Sequence, residues 1–292
     1  MGRKIALVGA NGQLATDIAK VFPKEKISDL ILLAHKDIEI NDTASVQSAL
    51  SKVNPDLVFN TAAYNRVDDA EREPETAFAI NAVGPKNLAQ YCKEKDIPFA
   101  HVSTDYVFGA DIHRFAPYTE DDAPGPINAY GISKLAGELF TQYITQKHFI
   151  IRSSGLFGVA GSSGKGGNFI ELMLKIAREK GQVRVVADQI ATPTYTLDLA
   201  KQILAIIETG TYGLYHATAQ GSCSWYEFAK EIFRLTNTKV DLVSVSSSEF
   251  PTPAKRGAYS VLENKKSKEL GIDVMRPWQE GLKDYLKEKG YA

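Results

Sequence analysis

Apolar residues fall in short, near-continuous runs at 5–8, 30–33, 57–60, 99–103 and 149–152, with longer stretches of helical spacing between them. Near-continuous apolar runs, as opposed to alternating ones, belong to strands covered on both faces. The intervening stretches predict helices: one opening after Gly12, one capped by Asp42 and Thr43, one running from Thr76 to Lys93, and one starting near Asn128. Strand and helix in alternation predict an α/β fold, a Rossmann-type doubly wound parallel sheet, over residues 1–154. Beyond that point the pattern loosens. A glycine- and serine-rich loop, 158–167, precedes a helix at 169–179. A strand at 183–186, a helix beginning near Asp198 and a strand at 213–216 are expected to return residues 182–217 to the main sheet. From Ser224 come a helix, a Ser/Pro-rich stretch at 244–253, and an amphipathic helix after Pro277. Residues 155–181 and 218–292 are then expected to form a smaller, discontinuous α/β substrate lobe.

A chain of 292 residues is long enough for both parts, and 44% hydrophobic with 24% charged residues is ordinary globular composition. The formal net charge of −1 argues against nucleic acid or an acidic membrane surface as partner, since either needs a concentrated basic face. No apolar run approaches the roughly 20 residues that span a bilayer. The sequence enters its first strand with no signal-peptide core, and Cys92 and Cys223 are too few for a disulfide framework. A cytoplasmic protein with two reduced thiols is expected. The five histidines lack metal-ligand spacing, so no metal is expected.

The first strand leads into Gly9-Ala-Asn-Gly12-Gln13-Leu14-Ala15, a glycine turn opening a helix. Gly9 permits the tight turn, and Gly12 lets the backbone approach a pyrophosphate at the helix N-terminus. At the end of the second strand, Ala34 offers no carboxylate for a ribose hydroxyl, whereas His35 and Lys36 offer positive charge for a 2′-phosphate. NADP is the favoured cofactor. NAD is the alternative, because Asp37 or Glu39 can reach the ribose, and Lys36 can equally be a solvated surface charge. Glu39 and Ile40 complete the candidate cofactor-binding positions here.

Reduction of a ketone by a nicotinamide needs a proton donor at the carbonyl oxygen. A tyrosine with a lysine four residues later on the same helix face meets that need, because the cation lowers the phenol pKa. The spacing decides nothing alone, since five Tyr/Lys pairs share it: Tyr91/Lys95, Tyr130/Lys134, Tyr143/Lys147, Tyr226/Lys230 and Tyr285/Lys289. Only Tyr130/Lys134 opens a helix after a strand that ends in hydroxyls, Ser103-Thr104-Asp105-Tyr106. Thr104 is the expected second donor to the carbonyl oxygen, with Ser103 as its rival. Asp68, Asp69, Glu71 and Glu73 have a simpler reading as the first turn and solvated face of a helix. Trp225 and Tyr226 read as core.

The chain resembles the dTDP-4-dehydrorhamnose reductase family of extended short-chain dehydrogenases. The residues that carry this are the G-x-x-G-x-x-A loop from Gly9, Asn60-Thr-Ala62-Ala63-Tyr64-Asn-Arg-Val-Asp-Asp-Ala-Glu71, Ile80-Asn-Ala-Val-Gly-Pro-Lys-Asn-Leu-Ala89, Ser103-Thr-Asp-Tyr-Val-Phe108, Ala129-Tyr-Gly-Ile-Ser-Lys-Leu-Ala-Gly-Glu138, Asp188-Gln-Ile-Ala-Thr-Pro-Thr194 and Pro253-Ala-Lys-Arg256. They span nearly the whole chain. The resemblance implies reduction of a 4-keto-6-deoxy sugar on dTDP by NADPH or NADH, giving dTDP-L-rhamnose. It implies that Thr104 and Asp105 contact the sugar, Tyr130 protonates it, and Lys134 holds the nicotinamide ribose. Gly12, Gln13 and Leu14 would meet the pyrophosphate, Ala62, Ala63 and Tyr64 would lie along the cofactor with Ser103, and Arg256 would bind the nucleotide phosphates. Tyr106 and Gly155 join the candidate substrate-binding set.

One departure bears on the sugar. After Arg152-Ser-Ser the family presents a tryptophan that packs on it, and this chain has Gly155. The 158–167 loop is expected to reshape that side of the pocket, with Lys165 either pairing with a substrate phosphate or solvated. Two other classes remain open: a nucleotide-sugar epimerase or dehydratase that keeps its cofactor, and a non-catalytic NADP-binding regulatory subunit. A nucleotide-sugar substrate, and a monomer or homodimer, complete the expectations.

Overall fold

The computed structural model describes residues 3–22, 29–161 and 167–291. The first half alternates as the apolar pattern requires: β1 (Ile5–Val8), α1 (Gln13–Val21), β2 (Leu30–Leu33), α2 (Thr43–Val53), β3 (Leu57–Asn60), α3 (Val67–Ala70), α4 (Pro74–Phe78), α5 (Gly84–Lys95), β4 (Phe99–Thr104), α6 (Ala129–Ile144) and β5 (His148–Ser153). Short elements follow: β6 (Leu156–Phe157), α7 (Phe169–Lys180), β7 (Gln182–Val186), β8 (Ile190–Ala191), β9 (Thr194–Tyr195), α8 (Thr196–Glu208), β10 (Gly213–His216), β11 (Cys223–Ser224), α9 (Trp225–Leu235), β12 (Asp241–Val245), α10 (Lys265–Glu269) and α11 (Trp278–Glu288).

Six strands form one parallel sheet in the order β10-β5-β4-β3-β1-β2. Apolar side chains cover both faces, one layer with Leu14, Ile18 and Leu199 from α1 and α8, the other with Val46, Leu50 and Leu88 from α2 and α5. Doubly wound burial explains the near-continuous apolar runs. Strand order reverses between β1 and β3, and a crevice opens at the carboxyl ends of strands at such a point.

Two expectations change. The strand at 183–186 does not return to the main sheet: β7 pairs in parallel with β12 in a separate two-stranded sheet. Only β10 of the 182–217 segment joins the main sheet, beside β5, while α8 packs on α1. An alternating apolar pattern such as Gln182-Val-Arg-Val-Val186 marks a strand with one wet face, which a central position would not allow. The helix expected over Thr76–Lys93 runs without a break from Pro74 to Lys95 but is not regular: a π-helical turn, Ala79–Val83, joins α4 to α5. Pro85 has no N–H to continue the ladder, and the Gly84 N–H reaches back five residues to Ala79.

A further core cluster, built from residues after β5, has an aromatic centre among aliphatic side chains such as Ile170, Leu174, Ile232 and Leu282. Phe157 stacks on Tyr195 and meets Phe228 and Tyr285 with centroids 5.5–5.7 Å apart. No described helix is long and apolar enough to cross a membrane.

Candidate active site

The crevice is a cleft of ≈ 350 Å³ lined by the start of α1, the ends of β3, β4 and β5, the start of α6 and residues of the second lobe. Gly9, in the turn between β1 and α1, has φ +86°, and a Cβ there would lie 2.6 Å from the Ala62 nitrogen. Only glycine allows that approach. Gly12 caps α1 in extended conformation, so the first amides of the helix face the cleft beside Gln13 and Leu14. Two buried polar atoms lining it have no partner among the described residues, Gln13 Oε1 and Ser103 Oγ. An acceptor and a hydroxyl left unpaired beside a helix N-terminus fit the hydroxyls and phosphates of a dinucleotide.

Asn60 and Asn81 hold the strand exit that borders this groove. Ala62 N–H donates to Asn60 Oδ1 at 3.0 Å. Asn81 bonds Tyr64 at both its N–H, 2.8 Å, and its carbonyl, 3.0 Å. Ala63 lines the cleft, but the Tyr64 ring packs with Val67, Ala70 and Ala77, and its hydroxyl donates to Glu73 at 3.1 Å. Neither asparagine stood out in the sequence, since a buried amide inside an apolar run carries no spacing signal.

At the end of β2, His35 Nε2 lies 3.0 Å from Glu39 Oε2, and Asp37 accepts from the Ala34 N–H at 3.0 Å. Both acidic residues near the ribose position are thus engaged, while Lys36 is exposed. Ile40 is core, packed against Gly84, and does not line the cleft.

Of the five Tyr/Lys pairs only Tyr130/Lys134 lines the cleft. Tyr91 and Tyr285 are core, and Tyr143 is 86% exposed. Helix α6 starts firmly: Asn128 Oδ1 accepts from Gly131 N–H at 2.8 Å, and Glu71 accepts from Ala129 N–H at 2.7 Å. The Tyr130 hydroxyl hydrogen-bonds Thr104, whose Oγ1 also donates to Asp105 at 3.1 Å. Burial pushes the Tyr130 phenol above its ordinary value, against the pull of Thr104. The expected lowering by Lys134 is not among its causes, because Lys134 Nζ points to the Val102 carbonyl, 2.7 Å away. Burial lowers Lys134 itself to about 8, with Glu138 opposing.

Asp105 is buried, and Oδ2 accepts from Ser154 at 2.9 Å and Ser260 at 2.6 Å. Its carboxyl is raised by burial, with those hydroxyls pulling down. Tyr106 stands edge-on to Tyr130, centroids 5.4 Å apart. Arg256 lines the cleft, yet its guanidinium is engaged by Asp68 at 2.9 and 3.1 Å. Asp68 and Asp69 stand in the first turn of α3 and Glu71 and Glu73 are exposed, as the plainer reading expects, but Asp68 also ties Arg256 and Glu71 ties the start of α6; Asp69 is paired with Arg66 and Arg72.

Gly155 has φ +57°, and a Cβ there would lie 2.9 Å from the Thr192 carbonyl and 3.0 Å from Pro193 Cα. Backbone fills the space beside it. The aromatic surface of the cleft comes instead from Phe169 and Trp225, tilted rings 4.9 Å apart at the first turns of α7 and α9. Trp225, read as core from its helix position, lines the site. Lys165, within 162–166, lies outside the described residues.

Residues 3–290 match the family model described as the RmlD substrate binding domain. The chain is 38% identical over 289 residues to the spore coat polysaccharide biosynthesis protein SpsK of Bacillus subtilis, covering 99% of each chain. It is 37% identical over 286 residues to the dTDP-4-dehydrorhamnose reductase of Mycolicibacterium smegmatis, covering 97% of this chain and 85% of that one. The crystal structure of dTDP-4-dehydrorhamnose reductase from Bacillus anthracis in complex with NADP is similar with a TM-score of 0.92 at 38% identity, over 99% of this chain and 100% of that one.

Proposed function

The chain belongs to the RmlD substrate binding domain family, and from that premise we propose that it is an NADPH-dependent reductase of a nucleotide-linked 4-keto-6-deoxy sugar, converting dTDP-4-dehydrorhamnose to dTDP-L-rhamnose. NADPH, when bound, supplies the hydride to the keto carbon. Gly9, Gly12 and the first amides of α1 at Gln13 and Leu14 would cradle its pyrophosphate, with Ser103 and Lys134 on its nicotinamide side. Tyr130, kept protonated at neutral pH by burial, donates its proton to the sugar oxygen. Thr104 aligns that phenol and offers a second hydroxyl to the same oxygen. Asp105 and Tyr106 face the sugar, Phe169 and Trp225 give it an apolar wall, and Arg256 is placed for the diphosphate once it exchanges Asp68 for phosphate oxygens.

The observation that carries this reading is the bonded pair Thr104–Tyr130 at the mouth of β4 with Lys134 one turn along, in a cleft that also holds the glycine loop. NADPH consumption against a panel of dTDP-linked ketosugars tests it. Turnover of dTDP-4-dehydrorhamnose above the others supports the proposed substrate. Turnover of a different ketosugar corrects the sugar alone, and none with any ketosugar overturns the reductase.

A further inference from the structure

Lys134 rests against a buried side chain of β4 that does not itself line the cleft. His101, in the middle of β4, is fully buried and stacks on Phe99 with centroids 6.0 Å apart. Its two ring nitrogens face different partners. Nδ1 is 3.1 Å from Asn60 Nδ2, and Nε2 is 3.4 Å from Lys134 Nζ.

Asn60 determines which nitrogen carries the hydrogen. Its Oδ1 accepts from the Ala62 N–H, and a backbone N–H can only donate, so the amide nitrogen must be the atom turned to His101. An amide nitrogen can likewise only donate, which makes His101 Nδ1 an acceptor. Burial, with the nearby Lys134 charge adding to it, lowers His101 well below its ordinary range, so the ring bears a single proton. That proton sits on Nε2 and points at Lys134. Such an N–H repels an ammonium group and donates to the lone pair of an amine.

We propose that Asn60 and His101 form a tautomer lock behind Lys134, with His101 a positioning residue whose Nε2–H stabilises the neutral amine of Lys134. The role rests on the reductase reading above. When Tyr130 has given its phenolic proton to the sugar oxygen, the proton that restores its O–H bond leaves Lys134 Nζ and passes through a hydroxyl in the cleft that both residues line, since Nζ itself is turned to the Val102 carbonyl. The nitrogen lone pair that remains accepts from His101. Lys134 is reloaded from solvent between turnovers.

The other charged and titratable groups around Lys134 are already engaged. Glu138, one turn along α6, favours the cation but is bonded to Arg152 of β5 at 2.7 and 2.9 Å. Tyr130, one turn back, bonds Thr104, and Asp105 at the end of β4 is held by Ser154 and Ser260. Burial lowers Lys134 and the Val102 carbonyl accepts from Nζ at 2.7 Å; beside these fixed influences, His101 is the neighbour whose hydrogen-bond sense can be reversed.

Two variants change that sense. Asn60→Asp places a carboxylate oxygen opposite each partner: one still accepts from Ala62, and the other draws the ring proton to Nδ1. Nε2 then becomes a bare acceptor for the ammonium. His101→Gln reaches Lys134 with an amide whose oxygen can turn to the ammonium. The titration of Lys134 in the full chain is followed by NMR of Cε-labelled lysine, assigned by its loss in Lys134→Met. The basic limb of kcat with NADPH is measured beside it. Both variants are expected to move the Lys134 titration and the basic limb up by about one pH unit. A titration unmoved in folded variants, with rate lost equally at every pH, overturns the lock. If Asn60→Asp does not fold, His101→Gln decides it in the same way. The NMR titration needs no sugar substrate, so an inactive wild type would sink the reductase reading while leaving this test intact.

Discussion

The two walls of the cleft are built differently. One wall, Ser103, Thr104, Tyr130 and Lys134, comes from a strand and the next long helix, and each of these side chains is buried in the main-sheet half. The opposite wall, Gly155, Phe169, Trp225, Arg256 and Ser260, is gathered from segments up to a hundred residues apart. Side-chain ties hold it to the first wall: Asp68 to Arg256, Asp105 to Ser154 and Ser260, and Asn128 Nδ2 to the Lys255 carbonyl at 2.8 Å. Proton transfer tolerates little displacement, and a packed core supplies that precision. Recognition of a particular sugar can be altered on the other wall without disturbing the chemistry.

The largest expected effect tests the first wall. Tyr130→Phe should lower kcat by about two to four orders of magnitude with cofactor affinity little changed, as expected for loss of a general acid. Tyr91→Phe, Tyr143→Phe, Tyr226→Phe and Tyr285→Phe should keep near-normal turnover. Stopped assays on all five variants check this, and equal damage from any of the four would move the acid elsewhere.

Gly155→Trp comes next. The family resemblance places a tryptophan at this position, but here φ is +57° and the Thr192–Pro193 backbone occupies the direction of a Cβ. Left-handed strain and overpacking together should destabilise the fold by about 2–4 kcal/mol. Thermal melting should show it, along with a raised KM for dTDP-4-dehydrorhamnose. A lower KM with unchanged melting would mean that the segment moves aside, and the contrast between a rigid wall and a variable one would then be stronger still.

These two positions show how much of the site was legible in advance. Thr104, Tyr130 and Lys134, picked out because the chemistry demands a hydroxyl strand end followed by a helix opening with Tyr-x-x-x-Lys, do line one cleft. The parallel, doubly wound sheet followed from near-continuous apolar runs, five of which form its strands β1 to β5. What fills the space at Gly155 depends on residues 192–193 and on Trp225, whose approach no local periodicity records. Asp68 is a first-turn carboxylate and Glu71 and Glu73 are exposed, as expected, but their partners, Arg256, Ala129 and Tyr64, carry no spacing signal. Strand β7 was misplaced for the same reason, since pairing with β12 lies 59 residues ahead.

Trp225→Ala sharpens the second wall. Removing an aromatic face worth about 1–2 kcal/mol should raise KM for the nucleotide sugar roughly tenfold. Cofactor affinity and kcat at saturation should stay near wild type, because Trp225 stands away from Tyr130 on the α9 side. Steady-state kinetics with both substrates varied separates the two parameters. A fall in kcat without a change in KM would place Trp225 in the chemistry and erase the division between the walls.

The smallest expected effect lies outside both walls, at the end of β2. Lys36 is exposed, while His35 is turned to Glu39 and Asp37 to the Ala34 amide. Of the two cations at this turn, His35 is paired with Glu39 and Lys36 has no ion-pair partner among the described residues, so Lys36 is the cation best able to meet a 2′-phosphate. A solvated charge pair of this kind is worth about 0.5–1 kcal/mol. Lys36→Ala should therefore raise KM for NADPH roughly three- to fivefold and leave NADH unchanged, since only NADPH carries that phosphate. The difference should shrink as salt is raised, because screening acts on exposed charges first. His35→Ala should do less, as the imidazole is held by Glu39. Equal changes for both cofactors would show that the mutation disturbs the turn itself, and selectivity would then have to come from a residue other than Lys36.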